Sequence, residues 1–436
     1  MSKQPASLPN GFRDSTGEAT LRPDLGPLPE EWQVVRLGEV IEDISSGDWG
    51  NEFPESSELP AYVLRGTDFA RAACDDFAKI PIRYLKPASL DKRKLDAGNI
   101  LVELSGGSKD QPTGRVLLVT NHFLKKLDLS LTFSNFVKRL HIKTCCEPEF
   151  FALYWQSLYE KGVTRIYEKR TTGIRNFKLI DFLNNESLFL PPLPEQRAIA
   201  HVLTSIQRAI EATEQVIAAA RELKKALMRH LFTYGPVPPA EAESVPLQET
   251  EIGPLPVHWR VVRLGEISEV KYGKANPNDS GSIPIVGSGG IFANTSTPLV
   301  THPTLVIGRK GTAGKVWLFL SPCYPSDTTF YLHWKKEIDV SFVFYFLNLR
   351  PLSGEHAKTT LPSLQKPYLE NTSVPLPPLP EQRAIAEMLG AVDEKIQAEE
   401  RRKAALQSLF RSMLHYLMTG KVRVAGLVTP PTQPEE

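Results

Sequence analysis

The octet Gly308–Lys315, GRKGTAGK, has the composition of a loop that cradles phosphate: glycines at its ends and a lysine behind the last of them. Its spacing rejects nucleotide hydrolysis. There is one residue too many between Gly308 and Gly314, and Val316 stands where a Ser or Thr would hold magnesium. The glycine-rich VGSGG of Val286–Gly290 has no acidic residue some twenty positions on to grip a ribose, so it reads as a turn between strands. NPND at Asn276–Asp279 lacks the following aromatic that an amino-methyltransferase uses to hold its target base. No H-E-x-x-H, G-x-S-x-G or paired-acid constellation occurs, and the nine histidines are scattered. Cys74, Cys145, Cys146 and Cys323 make no C-x-x-C pair and read as reduced thiols rather than zinc ligands. No catalytic residue, metal or cofactor is therefore expected in this chain.

The chemistry that remains is that of cations. The net charge is +1, so binding to a polyanion would need local patches. Between Ser280 and Ser326 there is no Asp or Glu, while Arg309, Lys310 and Lys315 lie inside that stretch. KGVTRIYEKRTTGIRNFK, Lys161–Lys178, sets six cations against the single Glu168. Such loops suit phosphate contacts, and Arg, Asn, Gln and Thr among them could read base edges. The candidate DNA-binding residues are Lys109, Gln111, Arg115, Lys169, Arg170, Arg175 and Asn176 in the first half, and Lys274, Arg309, Lys310, Lys315 and Lys358 in the second. For any one of them the plainer reading is a solvated charge on a loop.

What must position these loops is repeated. LPPLPEQRAIA occurs at Leu190–Ala200 and again at Leu376–Ala386. GPLPEEWQVVRLGEV at Gly26–Val40 is echoed by GPLPVHWRVVRLGEI at Gly253–Ile267, and the first half is longer in its middle by 41 residues. TGRVLLV (Thr113–Val119) resembles AGKVWLF (Ala313–Phe319), and SNFVKRLHIK (Ser134–Lys143) resembles SDTTFYLHWK (Ser326–Lys335). Two like halves suit a ligand with two separated half-sites, such as duplex DNA.

Each LPPLPEQ opens a helix. Pro194 and Pro380 suit the first helical position, and Glu195 and Glu381 suit the positive end of the helix dipole. No Gly or Pro interrupts Glu195–Tyr234, and Gly390 is the one interruption before Gly420; some 40 residues would make a rod on the order of 60 Å. A 3-4 stripe runs through Ile199, Leu203, Ile206, Ile210, Thr213, Ile217, Ala220, Lys224, Leu227 and Leu231, and through Ile385, Leu389, Val392, Ile396, Glu399, Lys403, Leu406, Phe410, Met413 and Leu417. This is a coiled-coil seam, apolar at both ends and softer in the middle, and pseudo-two-fold symmetry makes the pair antiparallel. Glu399 and Lys403 are spaced to pair along one helix.

Between the frames, short apolar runs such as LPAYVLRG, NILVEL, SIPIVGSGGI and TLVIGRKG alternate with Gly and Pro, and each half carries one helical run, Pro148–Glu160 or Val340–Arg350. The fold class is α/β (mixed α+β): two globular domains separated by two long helices in an antiparallel coiled coil, with a pseudo-two-fold internal repeat.

The doubled GPLPxxWxVVRLGE opening, with the doubled LPPLPEQRAIA, resembles the specificity (S) subunit of type I restriction–modification systems from about Gly26 to Gly420. The resemblance implies target recognition domains at 23–190 and 253–376, each reading one half of a bipartite, asymmetric double-stranded DNA target. It implies constant spacer helices at 191–234 and 377–420 that set the gap between half-sites, and a subunit that does no catalysis. The partners implied are two modification subunits that methylate adenine N6 with S-adenosylmethionine, and restriction subunits that use ATP and magnesium. Residues 1–22 and, within the tail at 421–436, Val428–Glu436 are expected to be disordered, and the Pro- and Glu-rich 235–252 to be a flexible linker. No signal-peptide pattern or run of some 18 apolar residues occurs, so the expected setting is the prokaryotic cytoplasm, with no membrane partner.

Overall fold

The computed structural model describes residues 28–55, 57–74, 76–107, 111–171, 174–352 and 363–424, with backbone alone at 170, 171 and 174. The chain divides into two compact units, Met1–Ala212 with Lys403–Glu436, and Thr213–Arg402. Each unit holds one globular block and a part of each long helix.

The two blocks share a topology. In the first, Ile41–Ser46, Val137–Ile142, Ile100–Glu103 and Val116–Leu118 form a four-stranded antiparallel sheet in that order. Beside it, Leu59–Leu64 lies between antiparallel Ile82–Leu85 and parallel Ser130–Phe133. The second block repeats both sheets with Ser268–Tyr272, Thr329–Trp334, Thr304–Gly308 and Val316–Phe319, and with Ile283–Gly287 between antiparallel Gly290–Thr295 and parallel Tyr324–Pro325. The VGSGG segment is thus the turn of a hairpin, as its glycines suggested. The first block also carries a hairpin, Glu168–Thr171 with Ile174–Phe177, that pairs with Ser105–Gly106. Helices Pro148–Glu160 and Val340–Leu349 occupy the places read from sequence.

The repeated frames fold against each other within each block. Gln33–Arg36 pairs antiparallel with Ser187–Leu190, and Arg260–Arg263 pairs with Ser373–Leu376 in the same register. Trp32 donates its indole N–H to Glu195 at 3.0 Å, and Trp259 donates to Glu381 at 2.8 Å. Arg423 closes on Glu195 at 2.5 and 2.8 Å, whereas His258 lies 2.9 Å from Glu381. The next residue seats the short helix of its block: the Gln196 side chain accepts from the Glu147 N–H at 2.7 Å and donates to Pro191, and Gln382 accepts from Asp339 at 3.0 Å and donates to Pro377. The EQ dipeptide of each repeat is therefore hydrogen-bonding hardware, buried except for the half-buried Glu381, and its invariance between halves follows from the indole and the helix entry that it meets in both.

The long helices run from Leu193 to Tyr234 and from Leu379 to Met418, with Gly390 inside the second without a break. Both begin one residue earlier than the proline, which takes the second turn-forming place, where its missing N–H also costs nothing. In the first unit Ile199 and Leu203 pack with Phe410, Leu414 and Leu417. In the second unit Leu231 and Phe232 pack with Ile385 and Leu389. The start of one helix meets the end of the other in each unit, so the pair is antiparallel. Every seam position read from sequence is buried or half-buried. Each fully buried Leu or Ile contributes about 1.5–3 kcal/mol, which no surface ion pair matches. The polar seam residues Thr213 and Glu399 are buried, and Glu399 holds Lys395 at 2.6 Å with Arg402 3.7 Å away.

One pairing breaks the symmetry. In the second unit Lys224 donates to both oxygens of Asp393 at 2.6 and 2.8 Å, Tyr345 donates to the same carboxylate at 2.9 Å, and the ammonium lies 5.1 Å from the Tyr345 ring. The repeat places Phe410, Gln207 and Leu153 at the corresponding positions of the first unit, where Phe410 and Leu153 join the apolar core.

Segment 235–252 departs from the expectation of a flexible linker. Pro239–Ser244 forms a 3-10 turn, and Leu247–Gln248 pairs with Leu255–Pro256. The Gln248 amide donates to the carbonyls of Pro256, Val257 and Trp259, while Ala242 and Ile252 are buried. The prolines that suggested a loose connector instead restrict it, and Gln248 ties it to the GPLPVHW frame. Residues 1–22 and 428–436, expected to be disordered, lie outside the described residues.

Candidate nucleic-acid interface

In each block several strand ends converge, and described candidate cations lie on the segments beside them. In the second block the main chain of Gly273 passes so close to Ser326 that an added Cβ would sit 2.0 Å from its carbonyl oxygen, so only glycine is accommodated. Ser326 N–H donates to Val286, while the N–H groups of Arg309 and Lys310 both reach the Thr328 carbonyl, at 2.9 and 3.3 Å. Ser288 donates its hydroxyl to that carbonyl at 2.6 Å. These contacts, with the Lys274 N–H on the Pro325 carbonyl at 3.1 Å, pin Lys274, Arg309 and Lys310 around one tight turn, Ser326–Thr329, closed by a 3.0 Å hydrogen bond, while the Lys315 carbonyl accepts from the Gly308 N–H at 2.8 Å.

The guanidinium of Arg309 stacks over Tyr272 and Phe330, 5.3 and 5.9 Å from their centroids, donates to the Asp327 carbonyl at 2.7 Å, and leaves its buried Nε without a partner. Lys315 places its ammonium 4.3 Å from the Trp317 centroid, and Lys274, Lys310 and Lys315 are exposed. Stacked, exposed cations on aromatic faces suit both phosphate and base contacts.

The first block builds the same edge differently. Gly47 corresponds to Gly273, and its Cβ would lie 2.1 Å from the Phe133 carbonyl oxygen. The position of Gly308 is taken by Glu103: the Glu103 N–H meets the Arg115 carbonyl as the Gly308 N–H meets that of Lys315. Glu103 is 1% exposed and holds Arg115 in a two-pronged ion pair at 2.9 and 2.5 Å. An added Cβ on Gly66 or Gly106 would lie within 2.8 Å of that carboxylate, so the acid is walled in by bare backbone. Arg115 is thereby committed inside the protein, whereas Lys315, in no ion pair among the described residues, stays at the surface.

Arg175 reaches Glu168 at 3.3 Å, Glu168 also accepts from Thr113, and Asn176 bonds Ser105. Lys169 and Gln111 are exposed, and Arg170 is paired through its backbone with Arg175. Lys109 and Lys358 lie outside the described residues. Sequence reasoning missed a second cation group in the first block, Arg65 and Arg71 about Asp68, at 2.8 and 3.2 Å. Burial works against ionisation of Asp68, but the Arg65 side chain and N–H, with Arg71, more than offset it and hold the carboxyl below its usual range. The signal was available in RGTDFAR, an acid flanked by two arginines at three-residue spacing.

The described residues contain no group of three or more His, Cys, Asp and Glu suited to a metal ion. Burial pushes the Cys146 and Cys323 thiols up to about 12, so both stay protonated and unreactive. No described helix is long and apolar enough to cross a membrane.

Residues 29–221 and 256–408 match the family described as type I restriction modification DNA specificity domain. The chain is 27% identical over 433 residues to the MjaVIII type I restriction enzyme specificity subunit of Methanocaldococcus jannaschii, covering 92% of this chain and 95% of that protein. It is 25% identical over 422 residues to a protein of the same organism named as the MjaX specificity subunit, covering 92% and 96%. A type I restriction–modification S subunit from M. genitalium, 18% identical, shares the fold with a TM-score of 0.62 over 90% of this chain and 96% of that one.

Proposed function

Because the chain belongs to the type I restriction–modification DNA specificity family and is a specificity subunit of such a system, we propose that each block reads one half of a bipartite, asymmetric DNA target while the long helices set the distance between halves. The observation that carries this is the pairing of constant scaffold with divergent edge. The frames, sheets and helix seats recur in both halves. The side chains at the converging strand ends differ between blocks and are rich in cations in both. A scaffold that holds two unlike basic edges suits a duplex with two unlike half-sites.

The helices also carry an exposed feature that repeats. Leu223 is 58% exposed and Leu409, its counterpart, 45%, with Ala219 and Ala405 exposed one turn before them. An apolar position left uncovered in both halves fits a partner bound in two copies, the adenine-N6 modification subunits. Methyl transfer from S-adenosylmethionine, and ATP- and magnesium-dependent cleavage, would reside in the partner subunits, and this chain would supply address and spacing without catalysis.

The test is to co-express the chain with its modification subunit and map methylated adenines across the host genome. A two-part motif with a fixed gap supports the reading; a complex that forms but marks no such motif overturns it. The isolated chain is expected to bind no S-adenosylmethionine in calorimetry.

A further inference from the structure

The tight turn at the centre of each edge carries an exposed polar side chain with no hydrogen bond to any described residue. In the first block the turn is Ser134–Val137, closed by the Val137 N–H on the Ser134 carbonyl at 3.0 Å; in the second it is Ser326–Thr329, closed in the same way at 3.0 Å. Both join the parallel strand of the small sheet to the second strand of the large one. Asn135 and Asp327 occupy the same position in the two turns, both are exposed, and neither side chain bonds any described residue.

Asp327 is the more telling. It is the first acid after the acid-free stretch from Ser280 to Ser326, and it sits among Lys274, Arg309 and Lys310. Arg309 is close enough to bond its backbone carbonyl at 2.7 Å, yet among the described residues the carboxylate takes part in no ion pair. On a surface that must approach phosphates, an unpaired carboxylate opposes binding to DNA in general. It is tolerable where it meets a donor on a base edge, and it then rejects sequences lacking that donor. The first turn shows a similar sacrifice. In the second block the Ser326 hydroxyl pairs with that of Thr328 at 2.8 Å. Phe136 replaces that threonine and is 59% exposed, and the buried Ser134 hydroxyl is left without a partner. The turn gives up an internal hydrogen bond to present an amide and an aromatic ring outward.

Resting on the reading that each block addresses one half-site, we infer that Asn135 and Asp327 are specificity-determining residues that recognise exocyclic amino groups in the major groove: adenine N6 with N7 for Asn135, and cytosine N4 for Asp327. The two side chains differ in what they accept and donate, so one turn geometry yields two half-site letters.

The test uses the full chain with its modification subunit, methylated-adenine mapping, and binding to duplexes that vary each motif position. Asp327→Ala is expected to make one base pair of one half-site degenerate, a roughly 5–150-fold loss of discrimination at that position, while strengthening binding to unrelated duplex. Asn135→Ala is expected to do the same in the other half-site without the gain in general binding. The exchanges Asp327→Asn and Asn135→Asp, which keep size and turn propensity, are expected to move the preferred base toward adenine and toward cytosine. A wild-type motif that all four variants leave intact overturns the inference while sparing the proposed function. An equal loss of affinity for every duplex, with the motif unchanged, assigns the turns a structural role and overturns it too. A wild-type complex without a two-part motif overturns both.

Discussion

Replacing Arg115 is expected to damage the first unit through its fold and not through its DNA contacts. Its partner Glu103 is almost wholly buried, and the Arg115 side chain is itself only 15% exposed. Arg115→Met would leave a carboxylate facing the backbone of Gly66 and Gly106 with no counter-charge. Removing one member of a buried pair costs about 3–5 kcal/mol, because the remaining charge must stay desolvated or take up a proton. For a unit of this size that is a fall in Tm of roughly 6–20 °C in its calorimetric transition. Adding Glu103→Gln should recover most of the loss, since a neutral amide needs only hydrogen bonds there. The assay is calorimetry, with hydrogen exchange at Leu101 and Val102 to locate the change. A loss below about 1 kcal/mol, or a double variant no better than the single, would refute the reasoning.

Lys310→Ala with Arg309→Ala should weaken DNA binding and reduce the slope of log affinity against log salt by roughly 2; an unchanged slope removes both from the interface. Leu223→Glu and Leu409→Glu should each lower affinity for one modification subunit by roughly tenfold or more, and together for both, read as stoichiometry by native mass spectrometry; two subunits retained by the double variant would exclude this face. Asp68 is held below its ordinary value of 3.8 when folded, so its contribution to stability is present above that value and lost as pH falls through the folded pKa. Asp68→Asn should therefore flatten the acid limb of the first unit's stability profile, and an unaltered limb would assign the acid sensitivity elsewhere.

The architecture was legible because it is written twice. A helix long enough to show ten seam positions announces its period, and identical entries to both helices imply identical seats. The pairing of Glu103 with Arg115 was not legible, since the two are brought together by strands whose register no local pattern reveals; Arg115 looked like any loop cation. The order in 235–252 was hidden for a related reason. Proline-rich composition is shared by loose connectors and by segments pinned at a few points, and only the destination of the Gln248 amide tells them apart. Asn135 and Asp327 carry no sequence signal by themselves. They emerge when the two turns are superposed by their hydrogen bonds and the side chains without work are noticed.

The asymmetric contact among Lys224, Asp393 and Tyr345 bears on how such a chain avoids errors of assembly. A protein made of two similar halves risks pairing like with like across two copies, with each long helix finding its own twin. In that arrangement Lys224 would face Gln207, and Phe410 would face Asp393, leaving a lysine and a carboxylate without their opposite charges. The wild-type order pairs Lys224 with Asp393 and leaves Phe410 in the apolar core. The polar trio thus works as a key for correct intramolecular closure, at some expense of apolar burial. Swapped dimers would be expected to appear in mass photometry, in excess over the wild type, once Lys224→Phe and Asp393→Gln make the two halves interchangeable.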